Sequence, residues 1–238
     1  MRKTVMAIVA LALSGCVSTS GPDPTEKPLA KITTASVLPP ATQNRAARNF
    51  LAVVHRMEPV AEHECRVRTS GTNCDFKIVV DNRAGEPSNA YQTLDKYGRP
   101  VIAFTSALIN DARNRDELAF ILGHEAAHHI RGHIPKAQQS AVAGAVIGGL
   151  LAAALGAGDA GVKEAQRMGG AVGARQYSKD FELQADELGT IITARSGFDP
   201  LVGAAFFARI PDPGDRFLGS HPPNDQRIAT VRRTAANM

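Results

Sequence analysis

The clearest chemical signal in the chain is His124-Glu125-Ala126-Ala127-His128, an HExxH pattern. On a helix advancing about 100° per residue, the two histidines sit about 40° apart and one turn along the same face. Both imidazoles can then reach one cation. Glu125 lies about 100° round from His124, so its carboxylate stands beside the open coordination position, where it can take a proton from water. Zn2+ is the expected metal, one per chain, because imidazole suits it, it has no redox chemistry and it polarises carbonyls. Leu118 and Ile121 share the face of the histidines and the glutamate, which implies that the face is buried.

A catalytic zinc site needs a third protein ligand, and spacing narrows the candidates. On a continuing helix His133 would point about 180° away from His124. The longer zinc pattern that supplies its own third histidine would need Gly at position 131 and His at 134, where this chain has Arg131 and Ile134. The alternative is a carboxylate from a second helix, and Glu182-Leu183-Gln184-Ala185-Asp186 offers two acids at i and i+4 on one face. Glu182 would ligate, and Asp186 would orient a ligand histidine through its second ring nitrogen.

The elements that must position these groups are readable in outline. Asn114-Arg115-Asp116-Glu117 resembles a capping box, and Gly132 and Pro135 stand at the far end, so a helix is expected over about 115–131. A second helix begins near Ser178 and stops at Gly197, and Asp199-Pro200 caps a third over LVGAAFFARI. Upstream, residues 42–57 read as a helix with Pro59 just past its end, and strands are expected at Phe76 to Val80 and Pro100 to Thr105. The β content is small, so the fold class is α+β and mainly helical. Ala141 to Gly158 is uncharged and long enough for a bilayer span. Ala and Gly dominate it, however, so it reads as a packed or mobile small-residue helix or loop near the active site.

Composition bounds the rest. Lys plus Arg at 27 against Asp plus Glu at 23 leaves a charge of +4 spread along the chain, which gives no basis for a nucleic-acid groove. A hydrophobic fraction of 44% with only 5% aromatic residues implies a core of aliphatic and alanine side chains. Arg2 and Lys3 precede an apolar run and then Leu13-Ser14-Gly15-Cys16, which resembles a bacterial lipoprotein signal. Residues 1–15 are therefore read as a signal peptide, and 16–41 as a lipidated Cys16 and a proline-rich flexible tether. Val17 is not the Asp that marks inner-membrane retention, so the chain is expected on the outer membrane, facing the periplasm. That oxidising compartment makes a Cys65–Cys74 disulfide the default, stapling a hairpin across Ser70-Gly71-Thr72-Asn73.

HEAAHHIRGH resembles the HExxHxxxxH signature of the M48 zinc metallopeptidases, and YSKDFELQADELG, from Tyr177 to Gly189, is similar to their SRxxExxAD segment. Asn89-Ala90, GFDP at Gly197 to Pro200 and SHPPNDQRI at Ser220 to Ile228 extend the resemblance from about residue 42 to the end. Ala127 replaces the family's usual Gly, His129 a common Val, and Lys179 a usual Arg; none of these removes a ligand or the base. The resemblance implies a metallopeptidase domain over 42–238, with 141–175 as an Ala/Gly-rich insertion and a small sheet whose edge strand lines the cleft. It implies zinc held by His124, His128 and Glu182, with Glu125 as general base acting on protein or peptide substrates. Those substrates would be envelope proteins, misfolded or misassembled ones among them. The strand around Val101 to Phe104 is expected to align the substrate. Tyr177, His221 and Arg227 are candidates for oxyanion stabilisation by motif position, and His221 is also a candidate latch on the metal. A chaperone-like or assembly-factor lipoprotein with latent proteolysis is the alternative.

Overall fold

The structure, a computed structural model, describes residues 45–176, 178–211 and 222–238. The leader, Cys16, the tether, residues 42–44, Tyr177 and His221 lie outside the described residues.

Helix α1 (Arg45–Arg68) buries Phe50, Val53, Met57, Ala61 and Cys65, a stripe at helical spacing that faces the core. It runs through Pro59 rather than stopping before it. Pro59 cannot donate to the carbonyl of His55, but both residues are exposed, so water can serve that carbonyl while the apolar stripe holds the helix together on the other side.

Three strands follow: β1 (Lys77–Asp81), β2 (Ala90–Leu94) and β3 (Pro100–Thr105), in the order β1-β3-β2. β1 runs parallel to β3 and β2 antiparallel to it. The strand around Val101 to Phe104 is therefore the centre of the sheet, not its edge. All of β3 is buried, in keeping with its apolar run from Pro100 to Phe104, and β1 and β2 are the two edge strands. The β2–β3 turn is built by Asp95, whose Oδ1 accepts from the backbone of Tyr97 (2.8 Å) and Arg99 (2.9 Å), with Gly98 at φ +78°. Cys65 and Cys74 are disulfide-bonded. Cys65 lies in the last turn of α1 and Cys74 just before β1, so the bond ties a helix end to the sheet instead of stapling a hairpin.

After the short α2 (Ser106–Asp111) comes α3 (Arg115–Ile130), which crosses the core beneath the sheet. α4 (His133–Ala154) and α5 (Asp159–Gln176) form a helical hairpin. Among the described residues α4 is the one helix long and apolar enough to cross a membrane by length and composition. Only the first turn of α4 touches the candidate site; beyond it Val146, Ile147, Leu150 and Leu151 are exposed. α6 (Ser178–Arg195) returns to pack along α3, and α7 (Pro200–Gly203) continues as a 3-10 turn (Ala204–Ala208) rather than a longer helix. Asp199 caps α7, accepting from the backbone of Leu201 and Val202. α8 (Asn224–Ala236) packs on α6. The result is a mainly helical α+β domain with a small three-stranded sheet.

Candidate active site

α3 starts where its cap dictates: Asn114 Oδ1 accepts from the Glu117 amide at 2.8 Å. Glu117 reaches back to the amide of Arg113, one residue before the cap, at 2.8 Å. The helix then carries Leu118, Leu122 and Ala126 into the core and brings His124, Glu125 and His128 to the face opposite α6.

Two glycines set how closely α6 can lie. A Cβ on Gly123 would come within 2.8 Å of the Gly189 carbonyl oxygen, and one on Gly189 within 2.9 Å of the His124 backbone nitrogen. With neither Cβ present, α3 and α6 meet backbone to backbone, and the short side chains of α6 reach the histidines. His124 Nε2 and His128 Nε2 are 3.0 Å apart. Glu182 places Oε2 at 3.5 Å from His124 Nε2 and Oε1 at 3.3 Å from His128 Nε2. These three residues form a group whose ligand atoms all lie within 4.8 Å of one another. Two donors at about 2.0–2.1 Å from a tetrahedral zinc sit roughly 3.3 Å apart, so this nitrogen and oxygen set fits the ion in kind and in spacing.

The surroundings orient that set. His124 Nδ1 lies 2.9 Å from Asp186 Oδ1, and Asp186 is fully buried. Arg227 of α8 forks onto the same carboxylate, Nε to Oδ2 at 2.8 Å and Nη2 to Oδ1 at 2.7 Å. Its guanidinium stacks on Phe207 at 3.8 Å and comes within 3.5 Å of Glu182. Arg227 thus balances part of the charge of the buried acids. Burial alone would lower the pKa of His124, but its hydrogen bonds to Asp186 and Glu182 more than offset that and raise it to about 10.

Glu125 is half-buried and lines a cavity of about 360 Å3 together with His124, Glu182 and Arg227. Ser88 and Asn89, just before β2, and Ala90, its first residue, form one wall, so the edge strand meets the cleft at its start. Phe120, Phe206, Phe207 and Ile210 form an apolar wall. Of the residues singled out in the sequence, the structure brings together His124, Glu125, His128, Glu182, Asp186 and Arg227. His133, set aside as a ligand, packs against His128 all the same. Gly123 and Gly189 were not singled out for a structural role; a glycine within an otherwise good helical pattern was the available sign.

Comparison with known proteins places the sequence in a family. Residues 49–235 match the profile of peptidase family M48. The beta-barrel assembly-enhancing protease of Yersinia pestis is 29% identical over 157 residues, covering 58% of this chain and 31% of that protein. That of Escherichia coli K12 is 27% identical over 150 residues, with 58% and 31% covered. The match thus spans about a third of the length of these relatives. With the family profile covering most of its length, and with an HExxH helix and a second helix's glutamate meeting at one cavity, the chain belongs to peptidase family M48 and is a metallopeptidase.

Proposed function

We propose that the chain is a zinc-dependent endopeptidase acting on envelope proteins, misfolded or misassembled ones among them, in the bacterial periplasm. Residues 42–238 would form the peptidase domain, held to the outer membrane through lipid on Cys16 and the tether that follows. The observation that carries the reading is the convergence of His124, His128 and Glu182 within 4.8 Å of one another, beside a cavity that His124, Glu182 and Glu125 line. The names of the relatives support an envelope substrate, and LSGC at Leu13 to Cys16 supports the anchor.

His124, His128 and Glu182 would hold one Zn2+, which when bound acidifies water and polarises a peptide carbonyl. Glu125 takes the proton of the attacking water and passes it to the departing amine as the C–N bond breaks. Asp186 holds His124 with its Nδ1 proton inward, leaving the Nε2 lone pair for the ion, and Arg227 holds Asp186. An extended substrate adds to the free edge of β2, which aligns its scissile bond with the site through main-chain hydrogen bonds. The wall of Phe120, Phe206 and Phe207 takes an apolar side chain of the substrate and excludes water beside the reacting bond.

The test is zinc content and casein cleavage by the wild type beside Glu125→Gln. Stoichiometric zinc in both, with cleavage by the wild type alone, is the expected result. Zinc in both with cleavage by neither would instead favour a client-binding protein with latent proteolysis. Incorporation of labelled fatty acid that disappears in Cys16→Ser would support the anchor, and unchanged incorporation would remove it.

A further inference from the structure

Among the described residues, the two histidines of HExxH meet different partners at Nδ1, a carboxylate for His124 and an imidazole for His128. His124 is held by Asp186. His128 instead places its Nδ1 at 3.0 Å from Nδ1 of His133. His133 follows Gly132, whose left-handed conformation at φ +65° ends α3 and turns the chain back to start α4. The reversal tucks the His133 ring beneath the last turn of α3, where it is buried and lies edge-on to His128 with ring centroids 4.9 Å apart. It is also stacked flat on Phe181, centroids 4.4 Å apart and planes 10° from parallel. Its Nε2 faces Gln184 Oε1 at 3.4 Å.

These contacts fix the direction of a hydrogen-bond chain. With Gln184 Oε1 as the facing atom, an oxygen that only accepts, the two bond when His133 carries its proton on Nε2. The Nδ1 of that neutral ring is then an acceptor. For the facing pair to bond, His128 must carry its own proton on Nδ1, which leaves a lone pair on Nε2, the atom grouped with His124 and Glu182. α6 thereby serves both histidines: Glu182 and Asp186 face His124 and the metal position, while Phe181 and Gln184, on another side of the helix, hold His133.

We propose that His133 is a positioning residue that holds His128 in its Nδ1–H form with Nε2 free for the metal, and that Gln184 in turn fixes the form of His133. The inference rests on the assignment of His124, His128 and Glu182 as zinc ligands.

The experiment compares His133→Phe and His133→Asn with the wild-type protein, measuring zinc affinity by chelator competition and ring protonation by nitrogen-15 NMR of the zinc-loaded form. Phenylalanine keeps the size and the stack on Phe181 but offers no acceptor; the Asn amide oxygen stands about where Nδ1 stood. The expected result is zinc affinity about 10- to 100-fold weaker in His133→Phe and within about threefold of wild type in His133→Asn. In the wild type, His128 should show a slowly exchanging Nδ1–H and His133 an Nε2–H. Equal loss in both variants would assign His133 to packing alone, and unchanged affinity in His133→Phe would remove the role altogether. An Nδ1–H on His133 would reverse the chain and also overturn the proposal. Failure of the parent reading looks different: the wild type itself would bind no zinc.

Discussion

In both the α3–α6 pair and the α4–α5 pair, glycine lets two helix backbones approach with no Cβ between them. A Cβ on Gly123 would meet the Gly189 carbonyl at 2.8 Å, and one on Gly144 the Gly169 carbonyl at 2.1 Å. What surrounds each pair differs. α3 and α6 are enclosed by α1, the sheet and α8, and they carry His124, Glu125, His128, Glu182 and Asp186 into that enclosure. α4 carries no charge after Lys136, and its face away from α5 is exposed, with Leu150 at 66%. Close approach is what lets the short Asp186 side chain touch His124. The chemistry comes from ionisable groups held in a buried place, where each interaction is stronger than in water.

The largest effect is expected at Glu125. Glu125→Gln should lower casein cleavage about 10²- to 10⁴-fold while zinc content stays the same; cleavage at the wild-type rate would place the chemistry elsewhere. The glycines come next. Gly189→Ala puts a Cβ at 2.9 Å from the His124 nitrogen and 3.0 Å from its Cα, atoms of a buried backbone that cannot step aside. α6 must shift, with a cost of about 2–3 kcal/mol in stability and a loss of about tenfold or more in zinc affinity. Gly148→Ala meets the Ala165 carbonyl at 2.3 Å, a closer clash, but the hairpin can part into solvent. Zinc affinity should then stay within about twofold, because the proposed metal ligands lie on α3 and α6. Equal zinc loss in both variants, read by chelator competition, would show that the two helix pairs are one mechanical unit.

Away from both pairs the effects are smaller. Reducing the Cys65–Cys74 bond, which closes a loop with a sequence separation of 9, should cost about 2–3 kcal/mol in a denaturant titration. Labelling of two thiols in the unreduced protein would contradict the bond. Asp81 is held by a two-pronged contact with Arg83, at 2.9 Å to Nε and 2.6 Å to Nη2, and by Tyr91, and the Arg83 hydrogen bonds lower its pKa to about 2. A carboxylate whose pKa is depressed on folding stabilises fully above its unfolded value near 3.9 and loses that contribution as pH falls through about 2. Asp81→Asn should therefore cost about 1 kcal/mol at pH 7 and flatten the acid limb of the stability curve between about pH 4 and 2. An unchanged acid limb would assign the loss at low pH to other carboxylates.

What could be read from the sequence follows from range. HExxH and Glu182 with Asp186 are local patterns, each on one helix, so spacing alone placed their side chains on shared faces. The cap at Asn114 and the turn at Gly132 were legible for the same reason. Pro59 misled because the helix rule concerns a lost backbone bond, whereas Met57, Ala61 and Cys65 carry the helix past it by packing that only the folded core supplies. β2 was hidden because Tyr91, Gln92 and Thr93 are half-buried side chains on an edge and make no apolar run. The bond from His133 to His128 needed the reversal at Gly132, which turns a residue that a continuous helix would point away into a neighbour.

The most direct test of the central claim, that the α3–α6 pair holds a catalytic metal, is zinc-edge X-ray absorption on the purified protein beside Glu182→Gln. Expected is one zinc per chain with two imidazole nitrogens and oxygen donors, and a changed or lost zinc signal in the variant. Sulfur ligation, or a wild-type zinc spectrum that Glu182→Gln leaves untouched, would contradict it.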